Sequence, residues 1–124
     1  MTFAPTPIQR PRIPIWVAGW WPHKPPLRRA ARWDGVFPGK EGEPLTPDDI
    51  RAIGAYIAEH RTGDAPFDMV VPGSTPGDDP AADAATVAPY TEAGATWWIE
   101  GLNGWRGSFA EMRARIHKGP PRVR

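Results

Sequence analysis

The stretch RIPIWVAGWWPHKPPLRRAARWDGVFP, residues 12–38, constrains the fold of this chain more than any other. An apolar run, Ile13 to Ala18, ends at Gly19. A bulky turn, Trp20-Trp21-Pro22, follows, and then the basic segment LRRAARW. Asp34-Gly35 opens a second apolar run, Val36-Phe37. Strand, turn, helix and strand in that order make a βαβ unit with parallel strands.

The rest of the chain repeats the alternation. The first helix is expected over roughly Pro26 to Arg32, because Pro suits a first helical turn. The second strand spans Gly35 to Pro38, and a loop from Gly39 to Pro44 follows. Thr46 then reads as an N-cap, with Pro47 at the first helical position and Asp48 and Asp49 complementing the helix dipole. Ile50, Ile53 and Ile57 form one apolar stripe, and this helix should end near His60 to Gly63. A third strand, Phe67 to Val71, is expected to stop at Pro72-Gly73. The Ala-rich stretch Ala81 to Val87 is helical by propensity, and Pro89 should break or restart it. Thr96 to Glu100 is the fourth strand. Ser108 with Glu111 makes a capping box that starts the last helix, which ends before Gly119-Pro120-Pro121. Residues 1–11 read as an extended arm and 122–124 as a frayed tail of a single domain. Four βα units imply an α/β fold with a parallel sheet.

Composition narrows the classes of function. Residues 1–33 carry six Lys/Arg and no acid, residues 34–100 three basic and thirteen acidic groups, and residues 101–124 six basic and one acidic. A cationic surface near the first βα turn would attract a phosphate-bearing ligand, while solvated helix faces would give the same pattern. There is no Cys, which excludes disulfides and thiolate chemistry. His23, His60 and His117 have no ligand-type spacing, so no metal site is expected. No GxGxxG or Walker lysine motif is present, and no nucleic-acid reader motif accompanies the basic ends. No apolar run approaches the length of a membrane helix, and the N-terminus lacks a signal-peptide core. A cytoplasmic location is the default expectation.

The stretch from Arg12 to Pro38 closely resembles the C-terminal half of the luciferase-like monooxygenases. The matching features are RPRIPIWV, a Gly turn, RRAAR and a DG strand, with EAGATWWIE and GPPR recurring at the end. That resemblance covers nearly the whole chain but only about half of the family's (β/α)8 barrel, which takes about 250 residues. It implies an oxidoreductase of monooxygenase type using FMN or a deazaflavin. No residue for proton transfer carries over from it, so the catalytic residues are unknown.

Ligands of parallel α/β folds sit at the carboxyl ends of the strands. In many luciferase-like enzymes the first such turn is Gly followed by Ser, and binds the cofactor phosphate. Here Gly19 is kept, and Trp20 and Trp21 stand where Ser would be. Backbone N–H groups remain, and His23, Lys24 or Arg28 could supply charge. The two indoles could stack on a flavin ring, block the phosphate slot, or fill the core or a dimer interface. Glu100, at the end of the fourth strand, is the carboxylate placed for site chemistry, unless it pairs with Arg106 or Arg10. The candidate cofactor set is therefore Gly19, Trp20, Trp21, His23, Arg28 and Glu100. Ser74 and Thr75 could bind an anion in a turn nest, or simply cap a loop.

Four parallel strands cannot close a barrel, and half a barrel exposes two edges and an apolar face. Association is expected: a homodimer, or a partner chain supplying the other half. The alternative function is a non-catalytic half-barrel module that binds a small phosphate-bearing ligand.

Overall fold

The computed structural model describes Pro5 and residues 8–123. Eight elements alternate in the order β1 (Trp16–Trp21), α1 (Lys24–Ala30), β2 (Gly35–Lys40), α2 (Pro47–His60), β3 (Asp68–Gly73), α3 (Pro80–Glu92), β4 (Trp97–Glu100) and α4 (Phe109–His117). The strands make one parallel sheet in the order β1-β2-β3-β4. Sequential order with right-handed crossovers sends α1, α2 and α3, the helices between strands, to the same face. That is the α/β arrangement of half a βα barrel, as the sequence leads one to expect.

The core lies between the sheet and the helices. Leu27, Val36, Ile50, Ile53, Met69 and Val71 are buried there, and Val17, Trp21 and Trp98 pack against them. Alternation along each strand then turns Trp16, Trp20, Phe37, Val70 and Trp97 to the other, concave face.

The concave face is strongly curved. In a flat sheet β1 and β4 would lie about 14 Å apart, three strand spacings. Yet the rings of Trp16 and Trp97 meet with centroids 5.4 Å apart. Both indoles donate to one carboxylate on β3, Trp16 Nε1 to Asp68 Oδ2 at 3.0 Å and Trp97 Nε1 to Asp68 Oδ1 at 3.1 Å. Val70 is fully buried even though it faces away from the helical core.

Several boundaries differ from the sequence reading. β1 runs Trp16–Trp21 rather than Ile13 to Ala18, so Gly19, Trp20 and Trp21 are strand and the turn is Pro22-His23. Six residues pair with β2 in unbroken register, which outweighs the turn signal of Gly19. Likewise β3 passes through Pro72 and Gly73 instead of stopping there. Pro89 does not break α3, which continues to Glu92. Proline removes one helical hydrogen bond, but Val87 is buried and the Tyr90 hydroxyl donates to Leu45 O at 2.8 Å, anchoring the helix on both sides of it. Much of the extended arm, and Arg124 of the tail, fall outside the described residues.

The N-terminus of α2 is as the sequence specifies. Asp49 N–H donates to Thr46 Oγ1 at 3.2 Å, and Thr46 N–H donates to Asp49 Oδ2 at 2.9 Å. Thr46→Ala should cost about 1 kcal/mol. Urea unfolding checks it, with the midpoint moving and the slope unchanged.

Candidate functional site

β2 and β3 pair only at Gly35–Asp68 and Val36–Met69. Beyond that point Pro38 and Pro72 cannot donate to a ladder. The loop after β2 then curls over the gap. The result is a hollow of about 400 Å³ at the carboxyl ends of β1, β2 and β3. Its walls are mainly Ala18, Trp20, Phe37, Pro38, Pro44 and Pro72. The volume and the apolar lining suit a small organic ligand.

Trp20 dominates the site. Its indole is 59% exposed and lies across Gly39 of the neighbouring strand. A Cβ at Gly39 would stand 2.7 Å from the indole Cζ3, so the ring needs a glycine beneath it. A second hollow, of about 360 Å³, also borders Trp20 and is lined by Gly19, His23 and Pro26. Trp20 is therefore a wall shared by the two.

The charged rim is tied up. Lys40 Nζ sits 3.0 Å from Glu43 Oε1 and 3.1 Å from Asp49 Oδ2. The hydrogen bonds it donates to Glu43 and Asp49 raise its pKa above the ordinary lysine value, so it stays an ammonium. It is no proton donor at neutral pH.

Of the six residues singled out from the sequence, Gly19, Trp20 and His23 come together at these hollows. The other three lie elsewhere. Trp21 follows Trp20 in one strand and so points to the helical side, where the Lys24 ammonium lies 4.1 Å from its ring centroid. Arg28 is exposed on α1, with Nη2 3.4 Å from His60 Nε2. Glu100 faces the helical side too, and every acceptor site on it is engaged.

Glu100 is the hub of a polar cluster at the ends of β3 and β4. Thr75 N–H and Arg106 Nη1 donate to its Oε1 at 2.6 and 2.5 Å. Thr75 Oγ1 and Trp98 Nε1 donate to its Oε2 at 2.9 and 3.1 Å. Arg115 Nη2 lies 3.5 Å away. Burial alone would raise the Glu100 pKa, but the Thr75 N–H, the Trp98 indole and the Arg106 guanidinium outweigh it and hold the carboxyl below its usual range. Thr75 is fully buried, and its N–H and hydroxyl both donate to Glu100, so those two donors already hold an internal carboxylate. The Glu100–Arg106 pair is one of the alternatives the sequence offers. The additional parts, Thr75 and Arg115, lie 25 and 40 positions from their partners, and no local pattern announces them.

Among the described residues no group of three His, Asp or Glu is gathered for a metal ion, and no helix is long and apolar enough to cross a membrane. Comparison with family models, with curated proteins and with solved structures finds no match to this chain.

Proposed function

We propose that this chain is half of a luciferase-like oxidoreductase barrel, and that the hollow beside Trp20 takes the ring of a flavin or deazaflavin. The observation that carries the reading is the exposed Trp20 indole, laid across Gly39 at the carboxyl end of the sheet and facing an apolar hollow. A flat aromatic ring stacks on such a surface. The bound ring would supply hydride chemistry, and the chain would hold and orient it. The residues present fit the ring better than its phosphate tail, because the lining is apolar and Lys40 is already paired.

A second reading, a half-barrel that binds a ligand without catalysing, draws on the same rim. The charged side chains in the hollow's lining, Lys40 and Glu43, pair with each other at 3.0 Å, and neither is directed at a reacting group.

Titration with FMN, and separately with a deazaflavin, tests the binding. Saturable quenching of tryptophan fluorescence is expected for one of them. Trp20→Ala should weaken that binding about three- to tenfold, the size of one aromatic contact. Failure of both cofactors to quench at millimolar concentration would remove the ligand reading. Unchanged affinity in Trp20→Ala would move the site elsewhere. Turnover with a reduced nicotinamide would separate the oxidoreductase from the mere binder.

A further inference from the structure

Among the described residues neither edge of the sheet has a strand partner. β1, WVAGWW, carries no charge and no proline. β4, WWIE, carries one charge, and that carboxylate turns to the helical side. Edge strands of stable monomers are usually blunted by lysines, prolines or bulges. Here the edge strands and the residues leading into them carry exposed apolar side chains instead: Ile13 is 61% exposed and Trp97 51%.

The surface area says the same. A folded monomer of 13.7 kDa is expected to expose about 6,600 Å². This chain exposes 8956 Å², an excess of about 2,400 Å² over that expectation. That excess is larger than the roughly 800 Å² that each partner of a stable complex buries.

We propose that a second copy of this chain closes the sheet, with β4 of each copy paired in parallel beside β1 of the other. All four strands run parallel, in sequential order. A two-fold rotation about an axis along the strands therefore leaves their direction unchanged. It brings each β4 to the partner's β1 and uses both edges once. Eight strands result, the number that closes a βα barrel, and no edge remains to recruit a third copy. The contact at β1 also completes the binding site. The hollow lined by Gly19 and His23 opens beside the β1 edge, where the partner's β4 would lay Ile99 and Leu102, both partly exposed in the single chain. This inference concerns assembly and stands whether or not a flavin binds.

The chain contains no cysteine, so introduced thiols report cleanly. Three variants would be treated with a short bis-maleimide: Ala18→Cys on β1, Ile99→Cys on β4, and the double variant. Sedimentation equilibrium of the unmodified protein would give its mass. The expected result is a dimer mass, with covalent dimers in the double variant and none in either single one. Cross-linking in a single variant would mean like edges meet, and would overturn the arrangement. So would a monomer mass in dilute solution with cooperative unfolding, or an open series of larger species. Ile99→Lys gives a separate reading, since it should yield a folded monomer by circular dichroism and mass. A dimer that survives that charge at the edge would also overturn the proposal.

Discussion

Glu100→Ala is expected to cost about 3–5 kcal/mol of folding stability, the loss seen when one partner of a buried ion pair is removed. Arg115 is 5% exposed, and in the variant it would keep its charge after losing the carboxylate that stands 3.5 Å from it. Arg106 loses the same partner. The Thr75 N–H would be left buried without an acceptor. α4 should feel the loss most, because Arg115 ties that helix to Thr75 through Nε and Nη2, each at 2.7 Å. With a total of about 5–15 kcal/mol for a domain of this kind, the variant would stand near the edge of folding. Denaturant unfolding measures the cost, and amide exchange shows whether α4 loosens first. A cost under 1 kcal/mol would mean that solvent already screens the cluster.

Acid should reveal the same group. The folded-state pKa of Glu100 lies below its ordinary value of 4.5, so its contribution is full above that value. It is lost as pH falls through the folded pKa, where the carboxyl must take up a proton. Asp34, Asp49, Asp78 and Glu111 are also held low by their partners, so the whole protein loses stability in the same direction. The difference between the native chain and Glu100→Gln isolates Glu100, and should shrink toward acid pH.

The contrast between α2 and the Glu100 cluster shows what a single sequence discloses. The start of α2 depends on residues 46–50, where cap, proline, acids and the first core isoleucine follow one another. Local chemistry decides it, so it is legible. The parallel order of the strands is legible for the same reason, since each unit announces a strand and then a helix. Strand ends are different. Gly19 reads as a turn, but pairing with Pro38 and packing of Val17 and Trp21 carry the strand past it. Those forces come from partners about twenty positions away. The candidate site follows that rule. The place of Trp20 at a strand's carboxyl end is visible in the sequence, whereas its part in lining two hollows depends on Gly39 beneath it and on the gap between Pro38 and Pro72.

Gly73→Ala is expected to be the most damaging of the single-methyl additions, at about 1–3 kcal/mol for overpacking. The backbone there is ordinary strand, so the reason is space. An added Cβ would lie 2.0 Å from Cη2 and 2.2 Å from Cζ2 of Trp98. A free ring end could swing aside, but this one is pinned. Tyr90 stands against it with ring centroids 5.5 Å apart, and Tyr90 is itself anchored to Leu45. The indole N–H donates to Glu100. Moving the ring therefore disturbs both the helical core and the polar cluster. The stiffening of the unfolded chain by alanine returns only about 0.4–1 kcal/mol. Trp98→Leu supplies the control, because it clears the space above Gly73. The cost of Gly73→Ala should fall sharply in that background, giving a coupling energy between neighbours of about 0.5–3 kcal/mol. An equal cost in both backgrounds would show that the ring is not the obstacle. A third background, Glu100→Ala, tests the link between core and cluster. There the indole has lost its acceptor and can shift more freely, so the methyl should cost less than in the native chain.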